Sequence, residues 1–441
     1  MLPMAQDLER PRLVIIGAGF AGINAAKALS GKPLRVTLVD RKNHHTFQPL
    51  LYQVALAVLS PAEIASPVRT VLRGARNEEV LLGEVTGFDL ERRLVKIDGL
   101  DLPYDYLIVA SGATHAYFGH PEWAEIAPGL KTIEDALEIR RRVLLAFETA
   151  EREVVGGRPS PPLNFVVIGA GPTGVELAGA IADISKRYME RDFRAIDPAK
   201  SRIILLEGGS RVLPAYPEDL SASAEKQLTQ MGVEVHTKAM VTGVEPGMVT
   251  AGKDKIPAAV ILWGAGVSAS PLGRMLGVAT DRAGRVVVEP DLTVPGHPEV
   301  FVVGDLAAVK LRKRDGAVID EVKTVPGVAP AAIQMGKFAA RQIRRSVAGK
   351  PRETFVYLDK GSLATIGRSH AVADLGRLHF SGYLAWLAWL FIHVLFLIGF
   401  RNRILVMMEW AWAYITYNQG ARLITDTATA EPETKPKAKA G

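Results

Sequence analysis

Two stretches of this chain constrain its fold more than anything else in it: "RLVIIGAGFAGINAAKAL" at 12–29 and "LNFVVIGAGPTGVELAGAIAD" at 163–183. Each reads as a short β-branched strand, a G-x-G-x-x-G turn and a helix. The glycines are Gly17, Gly19 and Gly22 in the first and Gly169, Gly171 and Gly174 in the second. Such glycines allow a tight turn, close approach of backbone to a pyrophosphate and packing of helix on strand, while the helix N-terminus attracts phosphate. A glycine-rich turn that only packs is the bland alternative.

The strand after each helix argues against that alternative. "LRVTLVD" ends a second strand in Asp40, and "RIILLEGG" ends the corresponding strand in Glu207. An acid at this place accepts a hydrogen bond from a ribose 2′-hydroxyl. At the second site it also favours NADH, because it would repel the 2′-phosphate of NADPH; Arg211 nearby keeps NADPH open. Two dinucleotide sites imply two dinucleotides, and the simplest pairing is a tightly held FAD in the first with a transient nicotinamide cofactor in the second. "LPYDYLIVASGA" and "PEVFVVGDLAAV" add two strands that end in glycine turns, the latter with Asp305 placed to reach flavin ribitol hydroxyls or to cap a helix.

Composition removes several other classes. The 441 residues contain no cysteine, so no disulfide framework, thiolate metal site or redox dithiol exists. A net charge of +6 would permit nucleic-acid binding, but no dense basic cluster with interleaved aromatics is present, so no nucleic-acid partner is expected. His44 and His45 are adjacent and no H-E-x-x-H occurs; no metal site is expected. The acidic N-terminal residues do not resemble a signal peptide.

The second fingerprint lies between "VASGA" and "VVGD", so one dinucleotide-binding domain is expected to be inserted in the other. The boundaries read as 10–125 and 286–365 for the flavin domain, 126–285 for the nicotinamide domain, 366–425 for a C-terminal region, and 426–441 for a disordered tail. The C-terminal region departs from the soluble pattern. Tyr383 to Phe400 is an apolar run of 18 residues, long enough to be a marginal membrane-spanning candidate. In the next segment Asn402, Glu409 and Thr416 recur every seven residues, a polar stripe with a glutamate that would be expensive in hydrocarbon. Four of the six tryptophans fall here, and 361–425 carries five arginines against two acids. Peripheral, in-plane attachment of amphipathic helices to an anionic membrane surface is therefore favoured over a spanning hairpin. A homodimer interface or a buried core is the alternative. Deleting 382–425 is expected to release the protein from membranes.

Further stretches are specific: "NHHTFQPLLYQVA", "ILWGAGV", "VPGVAPAAIQMGKFAA", "DKGSLATIGR" and "SGYLAWLAWL…GFRNR". Together with the fingerprints they resemble the type II NADH:quinone oxidoreductases, single-chain flavoproteins of the two-dinucleotide-binding, glutathione-reductase-like superfamily. The resemblance covers about residues 10–425. It implies an α/β fold with two Rossmann-like domains and C-terminal membrane-binding helices. It also implies FAD held by Gly17, Gly19, Gly22, Asp40, Ser111, Gly112 and Asp305, with Arg41, Pro49 and Val85 as further cofactor-side positions. NADH would lie against Gly169, Gly171, Gly174, Glu176, Glu207 and the "WGAG" segment with Ala265 and Gly266.

The family's quinone-side helix carries A-Q-x-A-x-Q. Here the first glutamine is Pro330 and only Gln334 matches, so Glu176 and Gln334 are the candidate catalytic residues. The activity implied is hydride transfer from NADH to FAD, then two-electron reduction of a membrane quinone, ubiquinone or menaquinone, without proton pumping, by a homodimer on the cytoplasmic face of the cell membrane. The rivals are an NADH-binding redox sensor that acts through a protein partner, and a reductase for a soluble electron-carrier protein.

Overall fold

The computed structural model describes residues 10–74, 77–190, 192–313, 315–320, 323–398, 400–416 and 421–424; the expected tail over 426–441 lies outside them. The first part of the chain runs β1 (Arg12–Ile16), α1 (Phe20–Leu29), β2 (Arg35–Asp40), α2 (Leu51–Ala55), β3 (Glu78–Leu82), β4 (Tyr106–Val109), β5 (Ala113–His115) and α3 (Ile133–Val155). It continues with β6 (Asn164–Ile168), α4 (Pro172–Asp183), β7 (Arg202–Leu206), β8 (Val233–His236), β9 (Val260–Trp263) and β10 (Val267–Ala269). The last part holds β11 (Thr293–Val294), β12 (His297–Val302), α5 (Ala329–Val347), β13 (Ser362–Gly367), β14 (His370–Asp374), β15 (His379–Ser381), α6 (Tyr383–Phe396) and α7 (Phe400–Thr416).

Two sheets carry the fingerprints. The larger has the order β11-β12-β4-β1-β2-β3, with every pairing parallel except β11 to β12. Its central strands, "RLVII" and "YLIV", are almost wholly buried, as sequence packed on both faces must be. The chain leaves this sheet after β4 and returns to it at β12. Between them it builds a second parallel sheet, β8-β7-β6-β9, around the other fingerprint. The short antiparallel pair β5-β10 ties the two units. Ser270 N–H also donates to the Gly112 carbonyl at 3.0 Å and Ala116 N–H to the Gly266 carbonyl at 3.1 Å.

Two close helix contacts need glycine. A Cβ on Gly336 would lie 2.1 Å from the Ala21 carbonyl oxygen, so α5 sits directly against α1. A Cβ on Gly179 would lie 1.5 Å from the Ile366 carbonyl oxygen, so α4 is pressed onto β13. These contacts bring α5 and the C-terminal sheet β13-β14-β15 to the two fingerprint helices.

The greasy C-terminal run does not form one long helix. α6 has 14 residues and ends where Leu397 turns to ψ 133°. No helix among the described residues is long and apolar enough to cross a membrane. Each C-terminal helix is two-faced. Ala385 and Trp389 of α6 are buried, while Leu384 and Phe391 are 68% and 69% exposed. On α7, Val406 and Asn402 are buried while Ile404, Met407, Met408 and Trp412 are exposed. Asn402, read from sequence as part of a polar stripe, faces protein: its amide lies 3.4 Å from the Ala65 carbonyl and the Ser66 hydroxyl. The apolar side faces out.

Candidate active site

The two fingerprint turns are built alike. Gly17 takes φ +100°, and a Cβ there would lie 2.5 Å from the Ala110 carbonyl oxygen; a Cβ on Gly22 would lie 1.8 Å from the Gly17 carbonyl. Gly19, by contrast, has nothing within 4 Å of where its Cβ would be. Gly169, Gly174 and Gly171 repeat the arrangement, with Gly174 at 1.7 Å from the Gly169 carbonyl and Gly171 open. The first and third glycines are demanded by packing, and the middle one leaves room for a ligand to reach the helix N-terminus.

The strand-end acids repeat too. Asp40 accepts from Ala18 N–H at 2.6 Å and Lys42 N–H at 2.7 Å. Glu207 accepts from Ala170 N–H at 2.7 Å and Gly209 N–H at 2.6 Å. Each acid thus holds its own fingerprint loop in shape, a role the spacing did not reveal. Each carboxylate oxygen retains a second lone pair for a ribose hydroxyl.

A cavity of about 680 Å³ runs between the two units. Its walls include Gly17, Gly19, Asp40, Arg41, Pro49, Val85, Ser111, Gly112, Asp305 and, from the second fingerprint helix, Thr173 and Glu176. Gly22, Gly169, Gly171, Gly174, Glu207, Ala265 and Gly266 lie off this wall. Ala265 packs on Gly169, and Gly266 faces the ring of Phe118. Ser111 Oγ and His44 Nε2 are buried without a hydrogen-bond partner, and both residues line the cavity. Orphaned polar atoms beside an open glycine cradle suit a polar dinucleotide, so the residues present fit FAD.

Glu176 is exposed only in part. Burial pushes its carboxyl up to about 8, so at neutral pH it is mostly protonated. His45 donates through Nδ1–H to the Ala18 carbonyl at 2.8 Å, and burial lowers its pKa.

Sequence reasoning missed Lys131 and Thr132, which also line the cavity. Lys131 Nζ stands 3.9 Å from Asp305 Oδ2. Thr132 caps α3 in a reciprocal box with Asp135, a T-x-x-D signal that was legible.

Gln334 is placed differently from the other candidates. It is not on the cavity wall; its Nε2 donates to the Leu358 carbonyl at 2.9 Å and its Oε1 accepts from Leu358 N–H at 3.0 Å. Pro330 occupies the first turn of α5, where its missing N–H costs nothing.

Below the cavity the motif at 43–55 meets the C-terminal helices. Trp389 stacks on His393 at 4.2 Å and meets Tyr52 edge-on at 6.3 Å. His393 leads to Phe47 at 6.2 Å, and Phe47 to Phe20 at 5.8 Å, where Phe20 lines the cavity. Burial lowers His393 to about 4, so this aromatic path is uncharged. Trp410 Nε1 donates to Gln53 Oε1 at 2.7 Å, and Gln53 Nε2 donates to the Tyr52 hydroxyl at 2.7 Å.

Comparison with known proteins agrees with this geometry. Residues 11–336 match the pyridine nucleotide-disulphide oxidoreductase family model, and residues 360–416 match the NDH2 C-terminal domain. The chain is 47% identical to the type II NADH:quinone oxidoreductase Ndh of Mycobacterium tuberculosis, over 96% of this chain and 92% of that protein. It is 29% identical to the type II NADH:quinone oxidoreductase of Haemophilus influenzae, over 82% and 86% of the two chains. Among solved structures, NDH2 from Plasmodium falciparum in complex with NADH shares the fold, with TM-score 0.82 at 20% identity over 95% of this chain and 100% of that one. A cavity lined by the first fingerprint and by Thr173 and Glu176 of the second fingerprint helix, aromatic C-terminal helices beneath it and this degree of likeness have one explanation: the chain belongs to the type II NADH:quinone oxidoreductases.

Proposed function

We propose that the cavity is where a flavin held by the first fingerprint meets the nicotinamide delivered to the second. The chain is an FAD-dependent NADH:quinone oxidoreductase. The observation that carries this reading is that Thr173 and Glu176, from the second fingerprint helix, share one cavity with Gly17, Asp40, Ser111 and Asp305 from the flavin side. FAD, when bound, supplies the hydride-accepting and two-electron chemistry.

The chain's own residues position and protect. Ser111 and Asp305 would offer hydrogen bonds to the cofactor, and the second fingerprint helix, whose Thr173 and Glu176 reach the cavity wall, would direct NADH toward it. Reducing a quinone with NADH consumes one proton from solution, and protonated Glu176 on the cavity wall is placed to supply it. The uncharged path from Phe20 through Phe47 to His393 and Trp389 suits a quinone headgroup entering from the α6 side. Gln334, with both polar ends engaged by Leu358, would act in this reading by holding that loop.

Attachment of α6 and α7 to a membrane surface on the cytoplasmic face is part of the proposal. Leu384, Leu387, Phe391 and Leu395 repeat at helical spacing and are all exposed. Burying what they still expose in lipid would contribute on the order of 3–7 kcal/mol before ordering costs. Electron transfer without proton pumping and a homodimeric assembly complete the reading, and sedimentation in detergent over a range of concentrations would check the dimer.

The decisive experiment reduces the purified flavoprotein anaerobically with NADH, then mixes it with ubiquinone and menaquinone analogues while flavin absorbance is followed. Rapid reoxidation by a quinone is the expected result and identifies the quinone class. A flavin that stays reduced with every quinone would instead favour a redox sensor.

A further inference from the structure

The loop that follows β5 carries a phenylalanine that neither its turn nor the core calls for. Tyr117 to His120 form a tight turn, closed by His120 N–H donating to the Tyr117 carbonyl at 3.0 Å. Both central residues have positive φ, +50° at Phe118 and +96° at Gly119. A turn of that shape favours Asn, Asp or Gly at its first central position, because a bulky side chain is strained there. Phe118 takes the position against that preference, and its ring is 67% exposed. An aromatic ring held out in water by a strained backbone points to a role other than packing.

The turn is fixed from both sides. The Tyr117 hydroxyl donates to the Ala127 carbonyl at 3.0 Å, and its ring lies 5.0 Å from that of Trp263. Trp263 Nε1 donates to the Ala116 carbonyl at 2.9 Å, and Ala116 N–H donates to the Gly266 carbonyl at 3.1 Å. Phe118 is thereby held over the segment 264–266, where a Cβ on Gly266 would lie 2.8 Å from its Cζ.

That segment leaves the carboxyl end of β9 and lies against the second fingerprint turn. A Cβ on Gly169 would lie 2.4 Å from Ala265 Cα, and one on Gly264 would lie 3.1 Å from Gly174 Cα. In an open α/β sheet a dinucleotide binds outside the carboxyl ends of the strands, across the fingerprint turn. The order β8-β7-β6-β9 sets Glu207, which follows β7, on one side of the fingerprint strand β6 and the segment 264–266 on the other. An adenine ribose held by Glu207 leaves the nicotinamide half to cross toward β9, where Phe118 overhangs. Thr173 and Glu176 of the fingerprint helix carry the same direction onto the cavity wall.

We propose that Phe118 is a positioning residue for NADH, whose ring lies across the nicotinamide riboside half of the dinucleotide and holds it against the second fingerprint. The inference rests on the NADH reading given above and deepens it. An exposed phenyl face suits a flat heteroaromatic ring and the apolar edge of a ribose.

Phe118→Gly in the full FAD-loaded chain tests it. Glycine takes positive φ without strain, so the turn is kept and the variant should unfold at about the same urea concentration as the wild type. The expected result is a KM for NADH about tenfold higher, with kcat for quinone reduction within about twofold. Calorimetric titration should show NAD⁺ bound about tenfold more weakly. Phe118→Tyr, which restores a ring, should return both KM and NAD⁺ affinity to within about twofold of the wild type.

A Phe118→Gly variant with unchanged KM for NADH and unchanged NAD⁺ affinity would overturn the proposal and leave the NADH reading standing. So would a variant that unfolds at distinctly lower urea, since the ring would then be serving the fold. A wild-type protein whose flavin NADH does not reduce would overturn the NADH reading and the proposal with it.

Discussion

Burial shifts the titration of Glu176 into the range where proteins are studied. Its folded value, about 8, lies above the ordinary 4.5, so the protonated form favours the fold. That contribution is complete below pH 4.5 and is lost as pH rises through about 8. Glu176→Gln should therefore flatten the pH dependence of unfolding between those limits. It should leave the variant more stable than the wild type at pH 9, on the order of 2–4 kcal/mol in urea titrations. An unchanged pH profile would show that the carboxyl is not desolvated. A second residue-scale prediction separates the two cofactors: Gly174→Ala sets a Cβ 1.7 Å from the Gly169 carbonyl. It should retain bound flavin while raising the KM for NADH at least about a hundredfold, read from flavin absorbance and steady-state kinetics. At this scale the glycines and strand-end acids were legible because strand, turn, helix and next strand lie close together in the sequence. Lys131 and the Gln334 clasp were not, because their partners Asp305 and Leu358 are brought to them only by tertiary packing.

Among elements, the seat of α2 depends on one buried guanidinium. Arg140 of α3 donates to the carbonyls of Val54 at 2.8 Å, Leu59 at 2.8 Å and Ala421 at 3.0 Å, and burial lowers it to about 10, so it stays charged. Arg140→Met would take a donor from three carbonyls, of which Val54 and Ala421 keep the N–H of Ala57 and Leu423, and should cost about 1–3 kcal/mol in urea unfolding. It should also slow long-tailed quinone reduction more than dye-linked NADH oxidation, since α2 carries Tyr52 and Gln53. Trp410→Phe is the milder companion: it keeps an aromatic ring, strands Gln53 Oε1, and should cost about 1 kcal/mol. The existence and order of the strands and helices around each fingerprint followed from periodicity. The end of α6 at Phe396 did not, because an uninterrupted apolar run gives no internal stop. There the chain turns where Arg403 Nε donates to the Leu397 carbonyl at 2.8 Å.

For the whole molecule, the structure changes which experiment tests membrane attachment. Deleting 382–425 would remove Trp389 and Val406 from the central core along with the exposed faces, so loss of activity would follow from unfolding alone. Leu384→Ser, Phe391→Ser and Met408→Ser together alter only outward-facing residues. They should move the enzyme to the soluble fraction with dye-linked NADH oxidation within about twofold of the wild type, as fractionation and activity assays would show. A triple variant that remains with the membrane would place the contact elsewhere. The Arg140 seat bears also on how such a molecule is made. Its three carbonyls come from residues 54, 59 and 421, the last 281 positions beyond the arginine. During synthesis both dinucleotide folds can form while that last acceptor is still to be translated. In the proposed reading, the end of the molecule that meets the quinone is then finished after the end that meets NADH.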